Sequence, residues 1–81
     1  MQQRELTQKI SAGEVAKIVI FRESETQPWS MKAIMVDDSA PVGVLQTALG
    51  RQRTFVNVDT ALTTLRGCGW TQEVIVDPSR E

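Results

Sequence analysis

The chain has 81 residues, of which 41% are hydrophobic, and nine Lys plus Arg against ten Asp plus Glu give a formal net charge of −1. This length predicts a single domain over 1–81, and the charge balance argues against a nonspecific nucleic-acid coat. One cysteine and no histidine exclude an internal disulfide and every mechanism that needs an imidazole. No long apolar run or signal-peptide pattern occurs, so we expect a cytoplasmic protein that has no membrane partner.

The first 36 residues predict one ambiguous segment and two strands. Residues 1–11 are polar apart from Leu6 and Ile10, and this i, i+4 pair predicts either a short helix or a frayed end. The β-branched residues over 14–22 predict a strand, and 29–36 predicts a second one. Two acids and a proline then predict a turn at 37–41.

The middle of the chain predicts a hairpin. Residues 42–49 and 52–56 read as two extended segments on either side of Gly50 and Arg51. Glycine supplies the positive φ that tight turns need, so the turn is expected at Gly50.

The strongest helix signal follows. Apolar residues recur at helical spacing over one stripe, which comprises Val58, Ala61, Leu62, Leu65 and Cys68. Asn57 is the predicted N-cap and Asp59 complements the helix dipole. Gly67 and Gly69 are expected to end the helix.

A short strand over 73–76, ended by Asp77 and Pro78, completes the predicted order β-β-β-β-α-β. This order predicts an α+β fold with a small, mainly antiparallel sheet and one main helix packed on one face.

The first two predicted strands are apolar on both faces. In 15–21 one face would carry Val15, Val19 and Phe21 and the other Ala16, Ile18 and Ile20, and 31–36 shows the same pattern. One helix cannot cover both faces of such a sheet. The missing cover is the N-terminal segment, a curled sheet, or a second copy of the chain. We expect at least a homodimer, joined through the sheet surface or edge of these strands, with contact residues Ile18, Ile20, Phe21, Trp29, Met31 and Ile34.

Few residues offer catalytic chemistry. Asp37 and Asp38 have no third acidic neighbour in sequence, so a solvated turn is favoured over a metal site. Cys68 lies near a helix C-terminus, where a thiol is not activated. The glycines do not have phosphate-loop spacing, and nothing would activate the serines or threonines. We therefore expect no enzyme, no catalytic residues, no cofactor and no metal.

Two residue types suggest contacts with other molecules. Arg51 and Arg53 lie at the predicted hairpin tip, where a basic ribbon could reach phosphates, and Arg66 could extend that patch. Solubility or protection of an edge strand is the favoured role for these charges because three arginines release few counterions. Of the two tryptophans, Trp70 is expected in the core and Trp29 at a contact.

The second half of the chain resembles a known group. Its pattern is Leu45-x-Thr-x-x-Gly-x-x-Arg-x-Phe55, then Asp59-x-Ala-x-x-x-Leu65-x-x-x-Gly69, then a hydrophobic strand that ends at Asp77. Over 45–77 this is similar to the small plasmid-borne proteins called ParC-like, or partition-associated. The resemblance implies a cytoplasmic, non-catalytic accessory protein encoded on a mobile element, and it implies no particular site residues.

The leading hypothesis is thus a small accessory protein that acts by protein–protein interaction in plasmid or mobile-element maintenance or transfer. One alternative is a DNA-binding regulator that uses the hairpin at Arg51 and Arg53. Another is a mobile-cassette protein, either an enzyme or a small-ligand binder with a pocket beneath the helix.

Overall fold

The computed structural model describes residues 1–77. Its elements in chain order are α1 (Gln3–Ser11), β1 (Val15–Phe21), β2 (Ser30–Met35), β3 (Gly43–Val44), α2 (Val58–Gly67) and β4 (Val74–Asp77). The four strands form one sheet in the order β3-β2-β1-β4. β1 pairs antiparallel with β2, β2 antiparallel with β3, and β4 parallel with β1. The α+β class and the mainly antiparallel sheet are confirmed; the predicted stop at Pro78 lies outside the described residues.

The N-terminal segment is a helix, so two helices pack on the sheet where one main helix was predicted. Leu6 of α1 is 1% exposed, and Ile10 packs against the same core from the next turn. Both helices cover one face, because Leu6 and Leu65 of α2 share a single core cluster with Ile18 and Met31. The N-terminal segment, one of the three covers considered for the apolar strands, packs on the same side of the sheet as α2 and leaves the opposite face without a helix from residues 1–77. No helix within residues 1–77 is long and apolar enough to cross a bilayer.

The predicted hairpin is present as a turn rather than as two full strands. Thr47 N–H donates to the carbonyl of Arg51 at 2.6 Å, and Gly50 has the expected positive φ, +81°. Beyond the turn, the second arm pairs only through isolated bridges, such as the one between Gln46 and Gln52. Three strands therefore precede α2 instead of the predicted four.

A β-bulge changes which residues of β1 share a face. Val15 pairs with Met35 and Lys17 pairs with Ile34, so Ala16 is left without a partner on β2. The extra residue moves Val15 to the side of Ile18, and both belong to the core cluster. The predicted grouping of Val15 with Val19 is therefore wrong.

The face of the sheet away from the helices is closed by its own side chains. Val19 lies on this face and pairs with Lys32, yet it is only 6% exposed. The Lys32 ammonium lies 5.0 Å from the centre of the Phe21 ring, so its side chain crosses the face between these residues. A lysine stem covers apolar surface while its charge stays in water. The second apolar face of β1 thus needs no second helix.

The ends of α2 follow the sequence signals. Asn57 is the N-cap, and its side-chain oxygen accepts from Thr60 N–H at 2.8 Å. The last helical residue is Gly67, Cys68 is the C-cap, and Gly69 follows with φ +93°. The left-handed residue after the cap turns the chain back towards β4.

Candidate functional site

The six predicted contact residues fall into two groups. Three are committed to the chain's own core: Ile18 and Ile20 are 0% exposed and Met31 is 1% exposed. The other three are half-buried, namely Phe21, Trp29 and Ile34. Because β1 and β2 occupy the middle of the sheet, neither has a free edge. The expectation of joining through the edge of these strands therefore needs correction: the sheet ends at β3 and β4.

The two tryptophans both serve the fold. The Trp29 backbone donates to and accepts from Phe55, at 2.9 and 2.8 Å, and its side chain packs against the core. The Arg22 guanidinium lies 4.4 Å from the Trp29 ring centre. Trp70 is 6% exposed, and its indole N–H donates to the Glu73 carbonyl at 3.2 Å. Trp70 therefore anchors the loop that leads into β4.

The three arginines singled out for nucleic acid do not come together. Arg51 is exposed in the turn, whereas the Arg53 guanidinium donates to Gln3 of α1 and lies 5.3 Å from the Phe55 ring centre. Arg66 lies on α2 beside β4. Since β3 and β4 are opposite edges of a four-stranded sheet, about 14 Å of sheet separates the two locations.

The acidic turn and Cys68 both make contacts within the chain itself. The Asp37 carboxylate accepts from the hydroxyl and the N–H of Ser39, at 2.8 and 3.0 Å. These hydrogen bonds, the hydroxyl first, lower the pKa of Asp37 below its usual value. Cys68 is 3% exposed and belongs to the core cluster. Within residues 1–77, no three His, Cys, Asp or Glu side chains are grouped as a metal site would require.

A groove runs between β4 and α2 on the helix side of the sheet, and we call it the β4–α2 groove. Its volume is about 540 Å³. The walls are largely apolar and come from the helix, the following loop and the strand: Leu62, Leu65, Arg66, Trp70, Thr71, Gln72, Val74 and Val76. Val76 is 43% exposed, so the groove opens along the outer edge of the strand.

At β4 the two faces of the sheet carry different side chains. Val74 and Val76 pair with the core residues Ile18 and Ile20, so they lie on the groove side. Ile75, 46% exposed, points to the opposite face together with Asp77. Glu73 precedes the strand and is exposed. Acidic residues therefore flank an apolar residue on one face, while the other face is apolar.

Comparison with protein-family models, curated proteins and solved structures finds no match to this chain.

Of the residues on this surface, only Arg66 is a predicted contact, and its predicted role is in binding nucleic acid. Leu62 belongs to the predicted apolar stripe of the helix, but it is half-buried and lines the groove. A signal was present: the acid–apolar–acid spacing of Glu73, Ile75 and Asp77 around a β-branched run. Its meaning depends on β4 being an edge strand, which only the pairing shows.

Proposed function

We propose that this chain is a non-catalytic accessory protein that acts by binding another protein chain at the outer edge of β4 and the β4–α2 groove. The observation that carries the proposal is the exposure of Ile75 and Val76, 46% and 43%, on a strand with one paired side within residues 1–77. Unpaired strand edges bind other chains through their backbone groups.

Two other surfaces of the sheet offer less to a partner strand. On the face away from the helices, Val19 is already covered beneath Lys32 and Phe21. The β3 edge has two strand residues and is occupied by the N-terminal residues, through the bridge between Gln2 and Gln46.

The proposed cellular role and location are supported by the sequence rather than by the binding surface. The resemblance of 45–77 to ParC-like proteins is what supports a role in plasmid or mobile-element maintenance or transfer. The single cysteine supports a cytoplasmic location, because secreted domains of this size are commonly disulfide-bonded.

Site-specific photo-cross-linking in the native host tests the binding surface. A photoreactive phenylalanine analogue replaces Val76 in one variant and Val56, 89% exposed and outside the groove, in the control. We expect a heavier cross-linked product from position 76 only, and we expect Leu62→Lys in the groove wall to reduce it. A product at twice the chain's 9.0 kDa identifies a homodimer, and any other mass identifies a different protein. Equal products from both positions, or none, would contradict the proposal.

A further inference from the structure

The outer edge of β4 also restricts what kind of segment can bind there. We propose that the partner contributes an extended segment that adds to β4 as a fifth strand and carries a basic residue on each side of an apolar pair. This inference rests on the proposed function and names the occupant of the same surface.

The backbone provides the first step. Residues 74–77 of β4 pair with residues 18–21 of β1 on one side, and no strand within residues 1–77 pairs with the other side. Alternate N–H and C=O groups of an edge strand point outward, where an incoming strand can bond with them.

The side chains provide the second step. Residues opposite one another on adjacent strands share a face. Partner residues opposite Val74 and Val76 therefore enter the β4–α2 groove and contact Leu62. Apolar side chains fit these two positions, because the groove walls are largely apolar and include Leu62, Leu65 and Trp70.

Charge provides the third step and disfavours the self-pairing of two copies that is centred on Ile75. Glu73 and Asp77 lie on either side of Ile75, on the face away from the groove. In the antiparallel self-pairing centred on Ile75, Glu73 of each chain would stand opposite Asp77 of the other. Like charges directly opposite are destabilising, whereas basic residues at these positions are attracted. The favoured segment thus reads basic–apolar–any residue–apolar–basic.

A synthetic peptide tests strand addition directly. The probe carries Lys-Val-Thr-Val-Lys between neutral Gly-Ser flanks, and binding is followed by the amide NMR shifts of the whole chain. We expect saturable shifts on β4 and around Leu62. Two further peptides are N-methylated at alternate residues: one set removes the donors that face β4, and the other removes the donors that face solvent. Strand addition requires that binding is lost only when the donors that face β4 are removed. Equal effects of the two sets, shifts elsewhere on the molecule, or no saturation at about 1 mM peptide would overturn the inference.

A charge swap tests the basic ends. Glu73→Lys combined with Asp77→Lys should weaken binding of the Lys-ended peptide about tenfold, since two attractive pairs become repulsive. The same variant should bind a Glu-Val-Thr-Val-Glu peptide better than the unmodified chain does. The matched control is Glu23→Lys with Glu25→Lys, which makes the same net change at two exposed acids in the β1–β2 connection. If control and swap behaved alike, position-specific pairing would be excluded.

The two proposals fail separately. A cross-link from position 76 to another protein, combined with no peptide binding, would leave the proposed function standing and overturn the fifth-strand inference. A cross-link to a second copy would likewise overturn the inference. Absence of any cross-link from position 76 would overturn the proposed function itself.

Discussion

The two edges of the sheet are built differently. At β3 the Met1 ammonium donates to the Val44 carbonyl and to the Gln46 side chain, at 2.9 and 2.8 Å, and Gln46 N–H donates to the Met1 carbonyl. The N-terminal residues thereby close a short edge. At β4 the strand is longer and more apolar, and no strand within residues 1–77 pairs with its outer side. Edges that are not needed for binding are usually blunted in this way, so the contrast marks β4 as the side where contact is expected.

The β4 side of the sheet depends on how α2 packs against the core, and the largest expected effect on stability is there. Leu65 is 1% exposed at the centre of the core cluster. Leu65→Ala should lower the free energy of unfolding by about 2–5 kcal/mol, through lost burial and the cavity left behind. Urea denaturation measures it, with Leu62→Ala as the half-buried comparison. If both variants lost equally little, α2 would not be anchored as described.

The β3 side depends on the turn at Gly50, where a smaller effect is expected. Gly50 has φ +81° and open space around its Cα, so Gly50→Ala costs backbone strain alone, about 1–2 kcal/mol. Gly67 also has open space but is helical, and Gly67→Ala should be neutral or stabilising by up to about 1 kcal/mol. Thermal unfolding of both variants checks this. Equal effects would mean that φ at position 50 is not the deciding factor.

A charge on the β4 edge should hardly change stability. Ile75 is 46% exposed, so Ile75→Lys should alter the free energy of unfolding by at most about 0.5 kcal/mol. The same variant should reduce the cross-link from position 76, since it replaces the apolar residue between the two acids with a charge. A large loss of stability would show that the edge belongs to the core rather than to a contact surface.

The smallest effect concerns the turn that leads into β3. Ser39→Ala removes the hydroxyl that contributes most to the lowered pKa of Asp37, so that pKa should rise towards its usual value. Because the folded pKa is depressed, the stabilising contribution is present above the usual carboxyl pKa of 3.8 and is lost as pH falls through the lower folded value. NMR titration of the carboxyl carbon measures the change. Ser24→Ala, whose hydroxyl pairs with Thr26, should leave it unchanged.

Local patterns were sufficient for the elements with a strong signal in their own residues. β1, β2 and α2 lie where the apolar, β-branched runs and the helical stripe predicted them, and Asn57 caps α2. The α1 helix remained ambiguous because only Leu6 and Ile10 supply an apolar stripe, and helix formation there depends on packing against the sheet.

The candidate site was harder to predict because it depends on pairing between distant segments. Residues 74–77 do not by themselves indicate whether the last strand pairs with β1 in parallel, or whether it lies at an edge of the sheet. The same valines on a central strand would be core residues. The position of Arg66 relative to Arg51 and Arg53 was hard to predict for a similar reason, since sequence spacing does not reveal which sheet edge each residue reaches.

The bulge at Ala16 determines which face of the sheet Val15 occupies. Strand side chains alternate with a period of two, so a regular strand would place Val15, three residues before Ile18, on the opposite side of the sheet from Ile18. The unpaired Ala16 takes up the odd residue, and Val15 therefore faces the core opposite Met35. Deleting Ala16 would remove the bulge but keep Val15, and the helix that precedes it, on the same side of the sheet.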